Sequence, residues 1–110
     1  MSLTGIIVPL VTPVAEDGGV DHDAVLDNAH RVLGAGVQGL YLCGGTGDAA
    51  QLSAADRRTI VEETLPLVRE AGASAIVHVG QSTLGDARAL ADHAAAAGAD
   101  AIASVPLRGA

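Results

Sequence analysis

The chain contains no lysine, no phenylalanine and no tryptophan, and it has a single tyrosine, Tyr41, and a single cysteine, Cys43. Each absence excludes something. All six basic residues are arginines against thirteen acidic ones, a net charge of −7, so there is no basic stripe to bind nucleic acid or an anionic membrane surface. One cysteine cannot close an internal disulfide, which fits a reducing compartment. The N-terminus "MSLTG" lacks a basic region followed by an apolar stretch, so no secretory signal is read there. The uncharged run from Val32 to Gly47 is too short and too rich in glycine to span a bilayer. A cytoplasmic protein is expected. Without large aromatics, a core of Ala, Val, Leu and Ile buries less area per residue, so stability of the isolated chain is a concern.

What is present is regular. The 110 residues, 49% of them apolar, fit one domain, residues 1–110. Ala-Gly pairs at Ala35-Gly36, Ala71-Gly72 and Ala97-Gly98 each end a helix-like stretch, and each is followed by an apolar run. Those runs are Leu40 to Cys43, Ala75 to Val79 and Ala101 to Val105, with a fourth at Ile6 to Val11. Glycine just past a helix end adopts the left-handed conformation without steric cost. Asp21 and Ser53 are placed to cap the first and second helices, with Asp56 completing a loose capping box, and Ser82 or Thr83 the third. Pro66, inside the second helical pattern, predicts a kink or break. The order strand, helix, strand, helix, strand, helix, strand, with strands that alternate little, predicts an α/β protein with a parallel sheet. An open doubly wound sheet and part of a (β/α)8 barrel both satisfy that order.

The most informative stretch is "GLYLCGGTGDAAQLS", residues 39 to 53, where an apolar run ends in Gly44-Gly45-Thr46-Gly47-Asp48. Three readings compete. Gly45-Thr46-Gly47 with Ala50 matches a loose dinucleotide fingerprint, but the next strand ends "VHVGQ" without the acidic residue a ribose needs. No lysine follows to make a Walker loop. A plain tight corner is the second reading. The third is carboxylate binding, in which backbone N–H groups freed by the glycines and the Thr46 hydroxyl form a nest of donors at a strand end.

Several motifs in order then carry a family resemblance. Gly5 to Pro13 fits G-x-x-x-x-x-x-T-P, Asp17 to Asp21 fits D-G-x-[VI]-D, Gly44 to Asp48 fits G-[TSG]-T-G-E, and Leu52 to Arg57 fits L-[ST]-x-x-E-R. Together with "AGADAIASVP" they resemble the dihydrodipicolinate synthase / N-acetylneuraminate lyase family across essentially the whole chain. The resemblance implies the N-terminal half, β1-α1-β2-α2-β3-α3-β4, of a (β/α)8 TIM barrel. It also implies a lyase, an aldolase or dehydratase, that holds pyruvate or a similar small 2-oxoacid as a Schiff base, usually in an oligomer. Thr46, flanked by Gly45 and Gly47, then contacts the carboxylate. Gly45 lacks the hydroxyl often found there, as in the family's sugar-acid dehydratases, and Asp48 replaces the usual Glu. No cofactor and no metal are implied.

A Schiff base needs an amine, and only lysine supplies one on a side chain. By the resemblance that lysine lies on the sixth strand and the catalytic tyrosine on the fifth, whereas this chain reaches only the fourth. The expectation is therefore a fragment that is catalytically silent alone, with no catalytic residue of its own, and that self-associates because four strands leave two edges and an inner face open. A non-catalytic half-barrel association module and, more weakly, a dinucleotide-binding domain are the alternatives. Elsewhere, His78 reads as a buried, hydrogen-bonded histidine, Cys43 as a small core residue, and His22, His30 and His93 as surface helix residues. Asp48 reads as a loop cap or an arginine partner, and Arg57-Arg58 and Glu62-Glu63 as a solvated helix face. No metal-ligand spacing stands out.

Overall fold

A computed structural model describes residues 5–43, 52–80 and 84–104 of the chain. Four strands, β1 (Ile7–Pro9), β2 (Gly39–Leu42), β3 (Ser74–His78) and β4 (Ala101–Ala103), alternate with three helices, α1 (His22–Gly34), α2 (Ala54–Glu70) and α3 (Leu84–Ala97). All strand pairs are parallel and the order is β1-β2-β3-β4. The strands are shorter than the apolar runs that announced them, because flanking residues such as Leu10 and Val79 continue the core beyond the ladder. The principal extents are 38 × 37 × 22 Å, and the short one accommodates one sheet and one layer of helices.

The helix boundaries follow local chemistry. The Asp21 carboxylate accepts from the Ala24 N–H at 3.0 Å and the Ser53 hydroxyl from the Asp56 N–H at 3.0 Å, satisfying donors that the first helical turn leaves unpaired. The Asp56 carboxylate faces His22 at 3.7 Å. At the other ends Gly36, Gly72 and Gly98 take φ of 89°, 70° and 102°, as the Ala-Gly pairs predicted. Pro66 neither breaks nor interrupts α2, contrary to the sequence expectation. Both Pro66 and Glu62, whose carbonyl loses its partner, lie on the exposed side, where water replaces the missing bond. The proposed caps Ser82 and Thr83 lie outside the described residues.

The two faces of the sheet differ. Rows Val8–Leu40–Ala75 and Leu42–Val77 point to the helices, and Leu40, Leu42, Ala75 and Val77 are buried. They meet the α2 stripe of Ile60, Val61, Leu65 and Val68, with Val25 and Ala29 of α1 and Leu90 and Ala94 of α3 at the sides. Each fully buried Leu or Ile contributes about 1.5–3 kcal/mol. Ile102 shares the row of Val77 yet is 50% exposed at the outer edge of β4. The opposite face carries Ile7, Pro9, Tyr41, Ile76, Ala101 and Ala103, none of them buried. Among the described residues no element covers this apolar face, as expected of a half-barrel.

Replacing Pro66 by alanine restores one intrahelical bond on an exposed face, so thermal or denaturant unfolding is expected to show a gain of about 1–3 kcal/mol.

Candidate functional site

The C-terminal ends of β2, β3 and β4 meet the first turn of α2 at one rim of the sheet. In parallel α/β folds this rim is where ligands bind, since strand ends leave backbone groups unpaired and helix N-termini point there. The first feature is Cys43. It directly follows β2 with φ of 60°, a left-handed backbone that a non-glycine residue adopts at a cost of about 1 kcal/mol or more. It is the one non-glycine residue with positive φ among the described residues. The chain therefore turns sharply just before the glycine-threonine segment. Thr46, Gly45 and Gly47, the proposed carboxylate nest, lie outside the described residues, as does Asp48.

The second feature is Arg57. Its side chain is 2% exposed, which corrects the expectation of a solvated Arg57-Arg58 pair; only Arg58 is exposed. The periodicity carried the signal: 57 is in step with the buried positions 60, 61, 64, 65 and 68 of α2. A buried charge must be matched by hydrogen bonds. Nη1 donates to the Gly80 carbonyl at 2.7 Å and Nη2 to the His78 carbonyl at 2.7 Å, while Nη2 also stands 3.3 Å from His78 Nδ1. The Cys43 thiol lies beside the same guanidinium. One side chain from α2 thus holds the end of β3 and touches the end of β2.

Burial sets the protonation states at this rim. The Cys43 thiol is pushed up to about 11 by burial, partly offset by the positive Arg57 and its hydrogen bond. Burial likewise lowers the Arg57 guanidinium, with Cys43 opposing. His78, 8% exposed, is lowered by burial first and by the Arg57 charge second, while a hydrogen bond with the Cys43 backbone pulls the other way. The expected buried, hydrogen-bonded His78 is what the structure has. Tyr41 lies on the open face with its ring centroid 6.5 Å from that of His78. Cys43 is a buried core thiol, as expected.

The other histidines lie on helices, and two of them, His22 and His93, face carboxylates. His22 Nδ1 is 3.4 Å from Glu63 Oε2, and His93 Nε2 is 3.0 Å from Glu62 Oε1, so these pairs tie α2 to its two neighbours. His22 and His93 are only partly exposed, more enclosed than the surface placement expected of them; His30 is exposed. No cluster of metal-ligating side chains occurs among the described residues. No helix among them is long and apolar enough to cross a membrane.

The pH consequences have definite signs. The folded state resists protonating His78, whereas the unfolded chain takes that proton near 6.5. Stability is thus full above about 6.5 and falls as pH drops below it. Denaturant midpoints measured from pH 7.5 to 5 should decline more in the wild type than in His78→Gln. Cys43 should react slowly with iodoacetamide at pH 8 and quickly once denaturant is added.

Comparison with known proteins agrees with this geometry. Residues 2–106 match the model of the "Dihydrodipicolinate synthetase family". An N-acetylneuraminate lyase from Pongo abelii is 33% identical over 104 residues, which cover 94% of this chain and 32% of that protein. A 4-hydroxy-tetrahydrodipicolinate synthase from Methanopyrus kandleri is 34% identical over 104 residues, covering 94% of this chain and 34% of that protein. Among solved structures, YagE from Escherichia coli K12, a member of the dihydrodipicolinic acid synthase family in complex with pyruvate, superposes with a TM-score of 0.88. It is 26% identical, over 99% of this chain and 37% of that one. The chain spans about a third of the length of the relatives it matches. With its parallel β1-β2-β3-β4 order, it has the fold of the N-terminal half of a TIM barrel and belongs to the dihydrodipicolinate synthetase family.

Proposed function

We propose that this polypeptide is the carboxylate-binding half of a cytoplasmic Schiff-base lyase, an aldolase or dehydratase acting on pyruvate or a similar 2-oxoacid, and that it is catalytically silent alone. One observation carries the reading: a chain of this family has no lysine with which to form the imine. Imine formation condenses a neutral primary amine with the 2-oxo carbonyl and expels water, so the amine must come from another segment or chain. In this reading Thr46 donates its hydroxyl, and the backbone N–H groups around Gly45 and Gly47 donate with it, to the substrate carboxylate. The complex of YagE with pyruvate supports the choice of ligand class.

A second reading rests on the open face. Ile7, Tyr41 and Ile76 stand there half-exposed, and among the described residues no strand pairs with the outer edge of β1 or of β4. The chain would then be a non-catalytic half-barrel association module, completed by a copy of itself or by a lysine-bearing partner. The dinucleotide reading of the glycine turn gains no support from the family.

Borohydride reduction in the presence of pyruvate is expected to give no side-chain adduct on this chain. Mixed with a polypeptide carrying the family's C-terminal four strands, it is expected to give an adduct on the partner alone. A side-chain adduct on this chain would sink the reading. Pyruvate titrated into the chain should be bound about tenfold more weakly by Thr46→Val, the value of one hydrogen bond to a charged group. In size-exclusion chromatography the chain should elute as a self-associated species, and a stable folded monomer would count against association.

A further inference from the structure

The geometry points to Arg57 as a positioning residue of the rim, one that fixes His78 as a neutral imidazole protonated on Nε2 and thereby locks the end of β3 against the end of β2. The chemistry of the donor decides the tautomer. A guanidinium has five N–H donors and no acceptor. Arg57 Nη2, 3.3 Å away, can only donate, so as its hydrogen-bond partner His78 Nδ1 accepts and the ring proton sits on Nε2. The same Nη2 donates to the carbonyl of His78 at 2.7 Å, so backbone and ring are held together. Nη1 reaches the Gly80 carbonyl two residues on. Lysine, with a point charge on a flexible stem, cannot serve three acceptors in fixed planar geometry.

The groups around the imidazole come from every side of the rim. Arg57 faces it from α2, Tyr41 from β2 and Cys43 from just beyond β2, and the Ser104 hydroxyl, past β4, borders the space above Gly80 that Nε2 also borders. A Cβ placed on Gly80 would stand 2.8 Å from His78 Nε2 and 3.4 Å from Ser104 Oγ. Gly80 is therefore the residue that leaves Nε2 its room, and a side chain there would displace the ring. The Arg57 fork, the His78 ring and the Cys43 backbone make a lateral tie between neighbouring strand ends. Gly44 follows Cys43 in the sequence, so the tie holds the residue that leads into the glycine-threonine segment. The link to ligand binding rests on the carboxylate reading above; the tautomer does not.

Long-range 1H–15N NMR of the full chain at pH 7.5 tests the assignment directly. His78 is expected to show a bare, acceptor-type Nδ1 and a protonated Nε2. A His78 that is protonated at both nitrogens, or that carries its proton on Nδ1, overturns it whatever any variant does. In Arg57→Gln and Arg57→Lys, with folding checked by circular dichroism, both tautomers should appear and His78 should titrate at higher pH. Arg58→Gln, at the exposed neighbour, should change neither. Pyruvate affinity should fall at least about fivefold in Arg57→Lys, the lower end of coupling between linked sites. Unchanged affinity there, with a wild type that binds, would overturn the positioning role. A wild type that binds no pyruvate would refute the carboxylate reading and with it the positioning of a ligand site, while the tautomer measurement would still decide the His78 assignment.

Discussion

A parallel sheet has to be covered on both sides, and among the described residues helices cover one side and nothing covers the other. That constraint organises the rest of the molecule. The helix-covered rows hold the Leu, Val and Ala residues that supply the core, packed against the stripe of α2. The open rows hold residues just as apolar, Ile7, Pro9, Tyr41 and Ile76, at intermediate or full exposure. Apolar surface on that side is stabilising only once something removes it from water. Among the described residues the helices cover one face of the sheet as far as the outer edge of β4, where Ile102 is half-exposed, and leave the other face open.

Within that layer the charged anchor sits at the rim rather than on the surface. Arg57 is tolerated in the interior because its two Nη groups meet two backbone carbonyls at the end of β3 and an imidazole nitrogen besides, although its buried Nε meets no partner among the described residues. The same burial that makes the arrangement demanding keeps Cys43 a thiol and His78 neutral. The strained backbone of Cys43 lies at the same spot. Backbone strain, a buried cation and a histidine of reduced basicity coincide where β2 gives way to the glycine-threonine segment, which is the pattern expected of a rim built to hold a ligand.

The parts of the fold that local chemistry decides were legible in the sequence. Asp21 and Ser53 cap because a side-chain oxygen there meets free N–H groups, and Gly36, Gly72 and Gly98 take positive φ because only glycine does so freely. Where a feature depended on which way a helix turns in three dimensions, inspection of neighbours misled. Arg57 beside Arg58 looked like a charged surface pair, although its step with Ile60, Val61 and Thr64 placed it inside. Pro66 looked like a breaker, but its exposure lets water take over the lost bond. The family was legible because four motifs stood in order. The apolar open face was legible only as a deficit, from the number of strands a barrel needs.

The polarity of the two bare edges has a consequence of its own. Because all four strands run the same way, β4 of one molecule continues the parallel ladder only by meeting β1 of the next. Such a contact joins unlike surfaces, head to tail. If the sheet curvature carries the second molecule round through half a turn, two molecules meet at two identical seams and the cylinder shuts. If the curvature falls short, the same seam repeats without end, and growth gives an open helical fibre instead of a ring.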